Sequence, residues 1–308
     1  AMTDSRGDAR APVAVMEEVR NLAAMIRKQD VPSLAEVLRR ADAVTDGTEA
    51  ADTVPTGFPT LDSLLGGGLR LGDLIVLGGD VGTGKSALAL AMALRAAEAG
   101  RAVTFLTGEM SPDRVQERVL AIEGRASIEA LRSGVIDEVT RASLGAVALR
   151  RSFTVPRVGY LPERGVDAWT QDWVDDTDKT ELLVVDSLQQ ISGTYSLMEN
   201  SARAILALKK VAMEKNVAVL LTAHLPELVG TRENPRPQLD DFGAMGAVKQ
   251  LADVVLGLFR EEVYHRVVGQ EGAAELSILK NRHGQTSYID LYFYREWLRF
   301  EDMVDPDR

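Results

Sequence analysis

The 308-residue sequence has no cysteine, only three histidines and no long apolar run. Without cysteine, disulfide bonds, thiolate zinc sites and thiol nucleophiles are all excluded. The histidines His224, His265 and His283 are far apart in sequence, which argues against a His-rich metal site. A run of about 18 apolar residues, which a membrane helix needs, is missing, and the first residues lack the apolar core of a signal peptide. From the sequence we therefore expect a protein of the reducing cytoplasm that makes no contact with a membrane.

Positive charge is also scarce relative to negative charge. The chain has 35 Lys and Arg residues against 46 Asp and Glu residues, which gives a formal net charge of −11. This balance argues against a protein that covers its whole surface with nucleic acid, although a local basic channel is compatible with it. Hydrophobic residues make up 45% and charged residues 26%, an ordinary globular composition that excludes a disordered chain or a coiled-coil rod.

A helical extension precedes the main body of the chain. Apolar residues recur at helical spacing over residues 13–26, which predicts a first helix. Ser33, with Glu36 three residues later, forms the capping box typical of a second helix, expected at about residues 33–44. A polar stretch without periodicity follows, so we expect a helical extension and linker over residues 1–55.

The body, over residues 56–308, alternates short apolar runs with helical patterns. This alternation predicts an α/β fold with a central, mostly parallel twisted sheet flanked by helices. The runs are continuous and rich in β-branched residues, as expected for strands covered on both faces. Two later runs predict a C-terminal β-hairpin. The predicted parallel strands are residues 74–77, 102–106, 182–185, 217–222 and 254–259, and the predicted hairpin strands are residues 275–279 and 288–293.

The most informative motif follows the first predicted strand. Residues 79–86 read GDVGTGKS, which fits the phosphate-binding pattern G-x-x-x-x-G-K-[ST] before a helical run. Its glycines let backbone N–H groups surround phosphate oxygens, and the following helix N-terminus adds a favourable dipole. Lys85 can reach the β- and γ-phosphates, and the Ser86 hydroxyl can bind Mg²⁺. The predicted nucleotide-binding residues are Gly79, Asp80, Val81, Gly82, Thr83, Gly84, Lys85, Ser86 and Ala87.

Two acidic residues follow other predicted strands. Asp186 ends an apolar run and is the expected second magnesium partner, beside Ser86. The next residue is Ser187 rather than Glu, so the carboxylate that activates water must come from elsewhere. Glu109 is the candidate, because the carboxyl ends of parallel strands meet at the sheet edge where ligands bind. The alternative is that Glu109 caps the helix that begins near Ser111.

Three further residues have two interpretations each. His224 follows the strand at residues 217–222 and is either a group that hydrogen-bonds the γ-phosphate or an ordinary structural histidine. Lys280 and Arg282 are separated by one residue on a predicted strand, so they point to the same side. They either protect an exposed sheet edge from aggregation or reach the γ-phosphate of a neighbouring subunit as arginine fingers.

From about Leu34 to Phe300 the sequence resembles the ATPase domain of DnaB-type replicative helicases, within the RecA-like group. The resemblance implies that Glu109 activates water, that Asp186 is the magnesium partner, and that ATP is the nucleotide. The segments that carry it are TGFPTLD at residues 56–62, the phosphate-binding loop, GEMS at 108–111, VDSLQ at 185–189, RP at 236–237, QLADVV at 250–255, REEVY at 260–264 and KNRHG at 280–284.

The resemblance also implies assembly. Lys280 and Arg282 match a pair that is donated across a subunit interface, and His224 stands where the family usually has a glutamine that couples nucleotide state to the DNA loops. The helix at about residues 33–44 matches a linker helix that docks on a neighbouring subunit. We therefore expect a homo-oligomer, as a hexameric ring, without the family's separate N-terminal domain. Such a ring couples ATP hydrolysis to translocation along single-stranded DNA and to duplex unwinding.

One segment departs from the family pattern. The DNA-contacting segment, usually Asp-Leu-Arg-Glu-Ser-Gly, reads DFGAMG at residues 241–246, so that Gly243 replaces the arginine. Lys and Arg contacts to phosphate supply much of the affinity for nucleic acid, so this segment is a weak DNA clamp. Arg203, Lys209 and Lys210 are other candidate contacts, or else lie on a solvated helix face.

Two stretches also resemble RecA-like ATPases outside the helicases. LGGGL at residues 65–69 and KNRHG at residues 280–284 are similar to segments of RadA-type and KaiC-type proteins. A second hypothesis therefore stays open beside the helicase: an oligomeric ATP-driven switch that acts on a protein partner, with weak or no DNA unwinding.

Overall fold

The computed structural model describes residues 32–48, 51–151, 156–161, 180–191, 196–225, 232–264, 269 and 271–303. Two compact units are separated between Ala51 and Asp52. The first predicted helix, at residues 13–26, lies outside the described residues, and the predicted domain boundary at residue 55 stays a prediction. Among the described helices, none combines the length and apolar character that a membrane crossing needs.

In the first unit, helix α1 spans Leu34–Thr45. Ser33 Oγ accepts from the Glu36 amide at 3.3 Å, and Glu36 Oε2 accepts from the Ser33 amide at 2.6 Å. The predicted capping box is therefore confirmed, and it satisfies two N–H groups that the first turn leaves unpaired. The apolar side chains of Leu34, Val37 and Leu38 are exposed.

The second unit contains a nine-stranded sheet in the described residues, with strand order β11-β10-β9-β8-β3-β7-β6-β4-β5. Neighbours from β8 to β5 are parallel, and β9, β10 and β11 continue the sheet in antiparallel fashion. The strands are β3 (Leu74–Gly79), β4 (Val103–Thr107), β5 (Arg157–Tyr160), β6 (Leu182–Asp186), β7 (Ala218–His224), β8 (Val254–Phe259), β9 (Ala273–Asn281), β10 (Ser287–Tyr294) and β11 (Arg299–Asp302), and β1 (Thr53–Val54) pairs separately with β2 (Leu69–Arg70).

All seven predicted strands are confirmed, each within two residues at either end. The sequence did not predict β5 and β11, which are short and carry polar or glycine residues in place of an apolar run. The helices of this unit are α2 (Pro59–Leu64), α3 (Lys85–Glu98), α4 (Pro112–Gly124), α5 (Ile128–Ser133), α6 (Glu138–Arg151), α7 (Leu197–Lys215), α8 (Ala247–Leu251) and α9 (Glu261–Tyr264).

Helix α3 fixes the position of the phosphate-binding loop. Every residue from Ala87 to Leu94 is buried, as expected for a helix that is apolar all round. Four of these residues are alanines, so the helix can lie close to the sheet. In its last turn, Arg95 donates to the Gly57 carbonyl at 2.7 Å and pairs with Glu301 at 2.9 Å. Helix α7 covers the other face of the sheet.

Candidate nucleotide-binding and hydrolysis site

The phosphate-binding loop connects β3 to α3 at the carboxyl edge of the parallel strands. Gly82 and Gly84 have φ values of 82° and 99°, which glycine adopts at little cost. A Cβ on Gly79 would lie 2.7 Å from the Leu258 carbonyl oxygen, so the close approach of β8 also requires glycine there. Thr83 Oγ1 donates to the Asp80 carbonyl at 2.8 Å and closes the loop.

Lys85 is the first residue of α3 and is only 4% exposed. Its Nζ donates to the Asp80 carbonyl at 2.8 Å. Burial lowers the pKa of Lys85 to about 8, although Glu109, Asp186 and Asp80 act in the opposite direction. A bound phosphate would restore this pKa, because an anion favours the charged amine. The loop therefore holds a desolvated cation where the motif expects phosphate.

Asp186, at the end of β6, lies beside Ser86. Asp186 Oδ1 accepts from Ser86 Oγ at 3.0 Å and from Thr222 Oγ1 at 2.6 Å. Its Oδ2 is buried and has no hydrogen-bond partner in the described residues, and burial raises the pKa of the carboxyl group. A hydroxyl and an unpartnered carboxylate oxygen are hard oxygen ligands, so these residues fit a magnesium ion.

Glu109, just beyond β4, binds side chains at the ends of two other strands. Its Oε1 accepts from Ser187 Oγ at 2.7 Å and lies 2.5 Å from His224 Nε2. The hydrogen bond with His224 is the main reason that the pKa of Glu109 falls to about 2, and Ser187 and Lys85 add to the effect. The N-cap of α4 is Ser111, so the structure gives the capping interpretation of Glu109 no support.

His224, the last residue of β7, is held by its backbone. The Gln189 side chain accepts from the His224 amide and donates to the His224 carbonyl, both at 3.0 Å. The imidazole Nδ1 is buried without a partner in the described residues. The two bonds from Gln189 therefore hold the His224 backbone in place, and the ring lines the cleft with its Nε2 hydrogen-bonded to Glu109.

The cleft between these residues has a volume of about 450 Å³. Besides the phosphate-binding loop, it is lined by Glu109 and His224, and by Arg118, Arg260 and Arg295 on its other walls. The structure thus brings Lys85, Ser86, Glu109 and His224 around one concave space with a net excess of cationic side chains, and Asp186 is bonded to Ser86 of its lining. Their catalytic and binding roles stay predictions.

Arg260 is a residue of this site to which the sequence reasoning assigned no role. It is 5% exposed, and its NH1 donates to the Gly82 and Thr83 carbonyls, both at 3.3 Å. Its guanidinium lies 4.1 Å from the centre of the Phe293 ring and pairs with Glu262. The available signal was its place directly after β8, at the carboxyl edge of the sheet.

Lys280 and Arg282 lie elsewhere. Lys280 pairs with Val255 at the start of β8, level with the start of β3, whereas the phosphate-binding loop follows the end of β3. Within one chain, Lys280 and Arg282 therefore lie at the amino edge of the sheet, opposite the carboxyl edge that carries the phosphate-binding loop. In the described sheet β9 lies between β8 and β10, so Lys280 is not on an edge strand, and the interpretation of this pair as protection of an exposed sheet edge gains no support.

The segment at residues 241–246 forms short 3-10 turns. Phe242 is buried against Gly78 of β3, and Asp241 accepts from both terminal nitrogens of Arg232, at 2.8 and 2.7 Å. Gly243 has φ 56° and ψ −128° and is exposed. The segment therefore offers solvent a glycine backbone rather than an arginine side chain.

The three candidate cations of α7 differ in their surroundings. Both predictions for Lys209, as a DNA contact and as a residue on a solvated face, are wrong. Its Nζ donates to Asp253 at 2.6 Å and to the Gly72 carbonyl at 3.1 Å. Lys210 is exposed, and its Nζ lies 3.7 Å from Glu214. Arg203 is exposed as well.

Known proteins with similar sequences and folds were found. The family model of the DnaB-like helicase C terminal domain matches residues 53–302. The replicative DNA helicase DnaB of Geobacillus stearothermophilus is 27% identical over 273 residues, which cover 81% of this chain and 56% of that protein. The chain thus spans little more than half the length of this relative.

Two solved structures share the fold. A DnaB-like replicative helicase, solved in a study of its interactions with primase, superposes with a TM-score of 0.77 at 21% identity, covering 93% of this chain and 71% of that one. A KaiC-like protein from Pyrococcus horikoshii OT3 superposes with a TM-score of 0.57 at 18% identity, covering 82% of this chain and 99% of that one. The predicted RecA-like ATPase fold is therefore confirmed. Because the family model spans most of the sequence, the chain belongs to the DnaB-like helicase C-terminal domain family.

Proposed function

We propose that this chain is the motor domain of a ring-shaped DNA helicase, which hydrolyses ATP to move along single-stranded DNA and to unwind duplexes. The observation that carries the proposal is the meeting of Lys85, Ser86 and Glu109 around one cleft at the carboxyl edge of the sheet, with Asp186 bonded to Ser86. Membership of the helicase family supports this reaction class.

Within the cleft, each residue has a separate task. Lys85 binds the β- and γ-phosphates, and the N-terminus of α3 adds its dipole. Ser86 and Asp186 would hold Mg²⁺, which would neutralise charge on the phosphates. Glu109 orients the attacking water and accepts its proton. With a pKa of about 2 it is ionised, which is the form that can accept a proton.

The site is completed by a second subunit. Lys280 and Arg282 lie at the edge of the sheet opposite their own phosphate-binding loop, which supports a role on a neighbour's γ-phosphate. A head-to-tail arrangement of this kind closes into a ring when the rotation between subunits allows it. We propose a hexamer in which residues 1–55, including α1 with its exposed apolar side chains, serve as the linker between subunits.

A second candidate function is an ATP-driven oligomeric switch that acts on a protein partner. It is favoured by the chemistry of the segment from Arg232 to Gly246. Both arginines of this segment are already paired, Arg232 with Asp241 at 2.7 Å and Arg236 with Glu275 at 2.9 Å. Little positive charge is left there for a phosphate backbone.

The deciding experiment measures ATP hydrolysis with and without single-stranded DNA, on protein of known oligomeric state, at low and moderate salt. The helicase proposal expects a large stimulation by DNA that weakens as salt rises, and unwinding of a forked duplex in the same buffer. Lys85→Ala is the control for contaminating ATPases. Strong turnover with no response to DNA favours the switch, whereas no Lys85-dependent turnover at all contradicts both functions.

A further inference from the structure

Arg282 is anchored to a buried carboxylate, Asp253, which is 2% exposed. Asp253 Oδ1 accepts from Arg282 NH1 at 2.9 Å, while its Oδ2 accepts from Lys209 Nζ at 2.6 Å and from the Leu74 amide at 2.8 Å. The Arg282 amide also donates to the Asp253 carbonyl at 2.9 Å. A buried carboxylate is tolerated only when it is paired in this way, so Asp253 fixes the guanidinium of Arg282 at a defined place.

The second support is the C-terminal end of α8. The last carbonyls of a helix lack intrahelical partners, and cations are favourable there. Lys280 Nζ donates to the Lys249 and Ala252 carbonyls at 2.8 and 2.5 Å, and Arg282 NH2 donates to the Gln250 carbonyl at 3.2 Å. The two cationic head groups therefore move with the end of α8.

Helix α8 is in turn continuous with the segment at residues 239–246. Gly246 is its N-cap and has φ 78°, two residues after Ala244 with φ 49°. Because α8 has only five residues, about one and a half turns separate the segment from the carbonyls that hold Lys280 and Arg282.

We infer that Asp253 and the end of α8 position Lys280 and Arg282 for the nucleotide of the neighbouring subunit, and that the segment at residues 239–246 controls this positioning. The inference rests on the proposed function, in which the two cations act across a subunit interface. It makes Asp253 a positioning residue. It also gives the coupling a direction, because a ligand of the segment then affects hydrolysis in the next subunit.

The same region is not assigned as a metal site. Asp73, Asp253 and His283 bring ligand atoms within 4.8 Å of one another. The charge of Asp253 is already met by Lys209 and Arg282, and His283 Nε2 lies 2.7 Å from Asp73 Oδ2. The side chains of the protein thus occupy the positions that a cation would take.

The test combines single variants with mixed assemblies. Asp253→Asn keeps the side-chain volume and an oxygen for the Leu74 amide but removes the charge that holds Arg282. We expect ATP turnover of this variant alone to fall roughly tenfold to hundredfold, the scale of a lost hydrogen bond to a charged group. Lys85→Ala subunits lack a working cleft but keep their own Lys280 and Arg282. Mixing the two variants restores turnover, because about a quarter of the interfaces in a randomly mixed ring then combine intact parts.

Two controls separate this inference from the proposed function. Arg282→Ala should lose turnover alone and regain it when mixed with Lys85→Ala subunits; if Arg282→Ala keeps full turnover, the shared site of the proposed function is wrong. Arg150→Gln is the surface control, because it removes an exposed cation of α6 that pairs with Glu123 and is not part of α8, the segment at residues 239–246 or the Asp253 cluster. Its turnover should be unchanged. If Arg282→Ala behaves as expected but Asp253→Asn keeps full activity, or is not restored by mixing, the inference alone is overturned.

Gly246→Ala tests the contribution of α8 and keeps the inference falsifiable if Asp253→Asn does not assemble. An alanine at φ 78° is strained, so the start of α8 must shift. We expect a several-fold loss of turnover that Lys85→Ala subunits restore. Full turnover in Gly246→Ala, or a loss that mixing does not repair, overturns the role of α8.

Discussion

Buried polar groups at the two edges of the parallel sheet differ in how completely they are hydrogen-bonded. At the carboxyl edge, polar groups are left incomplete: three of the four buried side-chain atoms without a partner in the described residues belong to Asp186, His224 and Arg260. At the amino edge, Asp253 is fully engaged by Lys209, Arg282 and the Leu74 amide. Because an unmet buried polar atom costs free energy, we expect a ligand to bind at this first edge.

The amino edge has the opposite character. Its cations are already satisfied, and Arg282 still has nearly half of its side chain exposed, at 48%. A hydrogen-bonded and partly exposed cation such as Arg282 can contact the surface of another subunit. A buried cation with a nitrogen unpartnered within the described part of the chain, such as Arg260, can instead contact a small ligand within its own chain. The following predictions test this difference between a carboxyl edge that binds a ligand and an amino edge that supplies cations to a neighbouring subunit.

The largest effect is expected for Lys85→Ala. Its amine is the buried cation of the cleft, so ATP turnover should fall by about a thousandfold or more, a loss typical of a residue that stabilises transferred phosphoryl charge. The fold should persist, because the substitution removes a charge whose burial is itself unfavourable. Turnover by a coupled assay and thermal unfolding check the two parts. Full turnover in Lys85→Ala would contradict the assignment of this cleft as the ATP site.

Two neighbouring lysines of α7 give the next largest contrast, in stability. Lys209→Met leaves one oxygen of the buried Asp253 without its cation and should cost about 3 kcal/mol of unfolding free energy. Lys210→Met removes an exposed pair with Glu214 and should cost less than about 0.5 kcal/mol. Urea unfolding of both variants measures the difference. Equal values would contradict the assignment of the amino edge as a satisfied ion-pair cluster.

The contrast between these lysines also shows where sequence reasoning stops. Seven of the nine strands of the large sheet, the phosphate-binding loop, Asp186 and Glu109 were predictable, because each lies in or directly after an apolar run of recognisable period. Arg260 was missed since its contact with Gly82 joins residues 178 positions apart and depends on β8 lying beside β3. Lys209 was misread because helical spacing alone does not tell which of two adjacent lysines reaches Asp253.

Arg260 supports the carboxyl edge, and its loss should weaken nucleotide binding by about tenfold, the scale of one charge-assisted hydrogen bond. Arg260→Met keeps the contact with the Phe293 ring but gives up the bonds to the Gly82 and Thr83 carbonyls. Glu262→Gln is the control, since it removes the paired charge and leaves Arg260 in place. Titration with a fluorescent nucleotide measures both. If Glu262→Gln weakens binding as much as Arg260→Met, the loop contacts are not the cause.

The smallest effect is expected in the ionisation of Glu109. Its folded pKa of about 2 depends first on the hydrogen bond with His224, so His224→Ala should raise it towards the ordinary value. A carboxylate with a lowered folded pKa stabilises the native state above its unfolded pKa of about 4.3, and loses that contribution as pH falls towards 2. His224→Ala should therefore narrow the range of acidic pH over which ionised Glu109 contributes to the stability of the native state. The carboxyl carbon of Glu109, identified in NMR spectra by its loss in Glu109→Gln, reports the pKa directly. An unchanged value would mean that Ser187 and Lys85 hold the charge, and that the carboxyl edge does not need its histidine to keep Glu109 ionised.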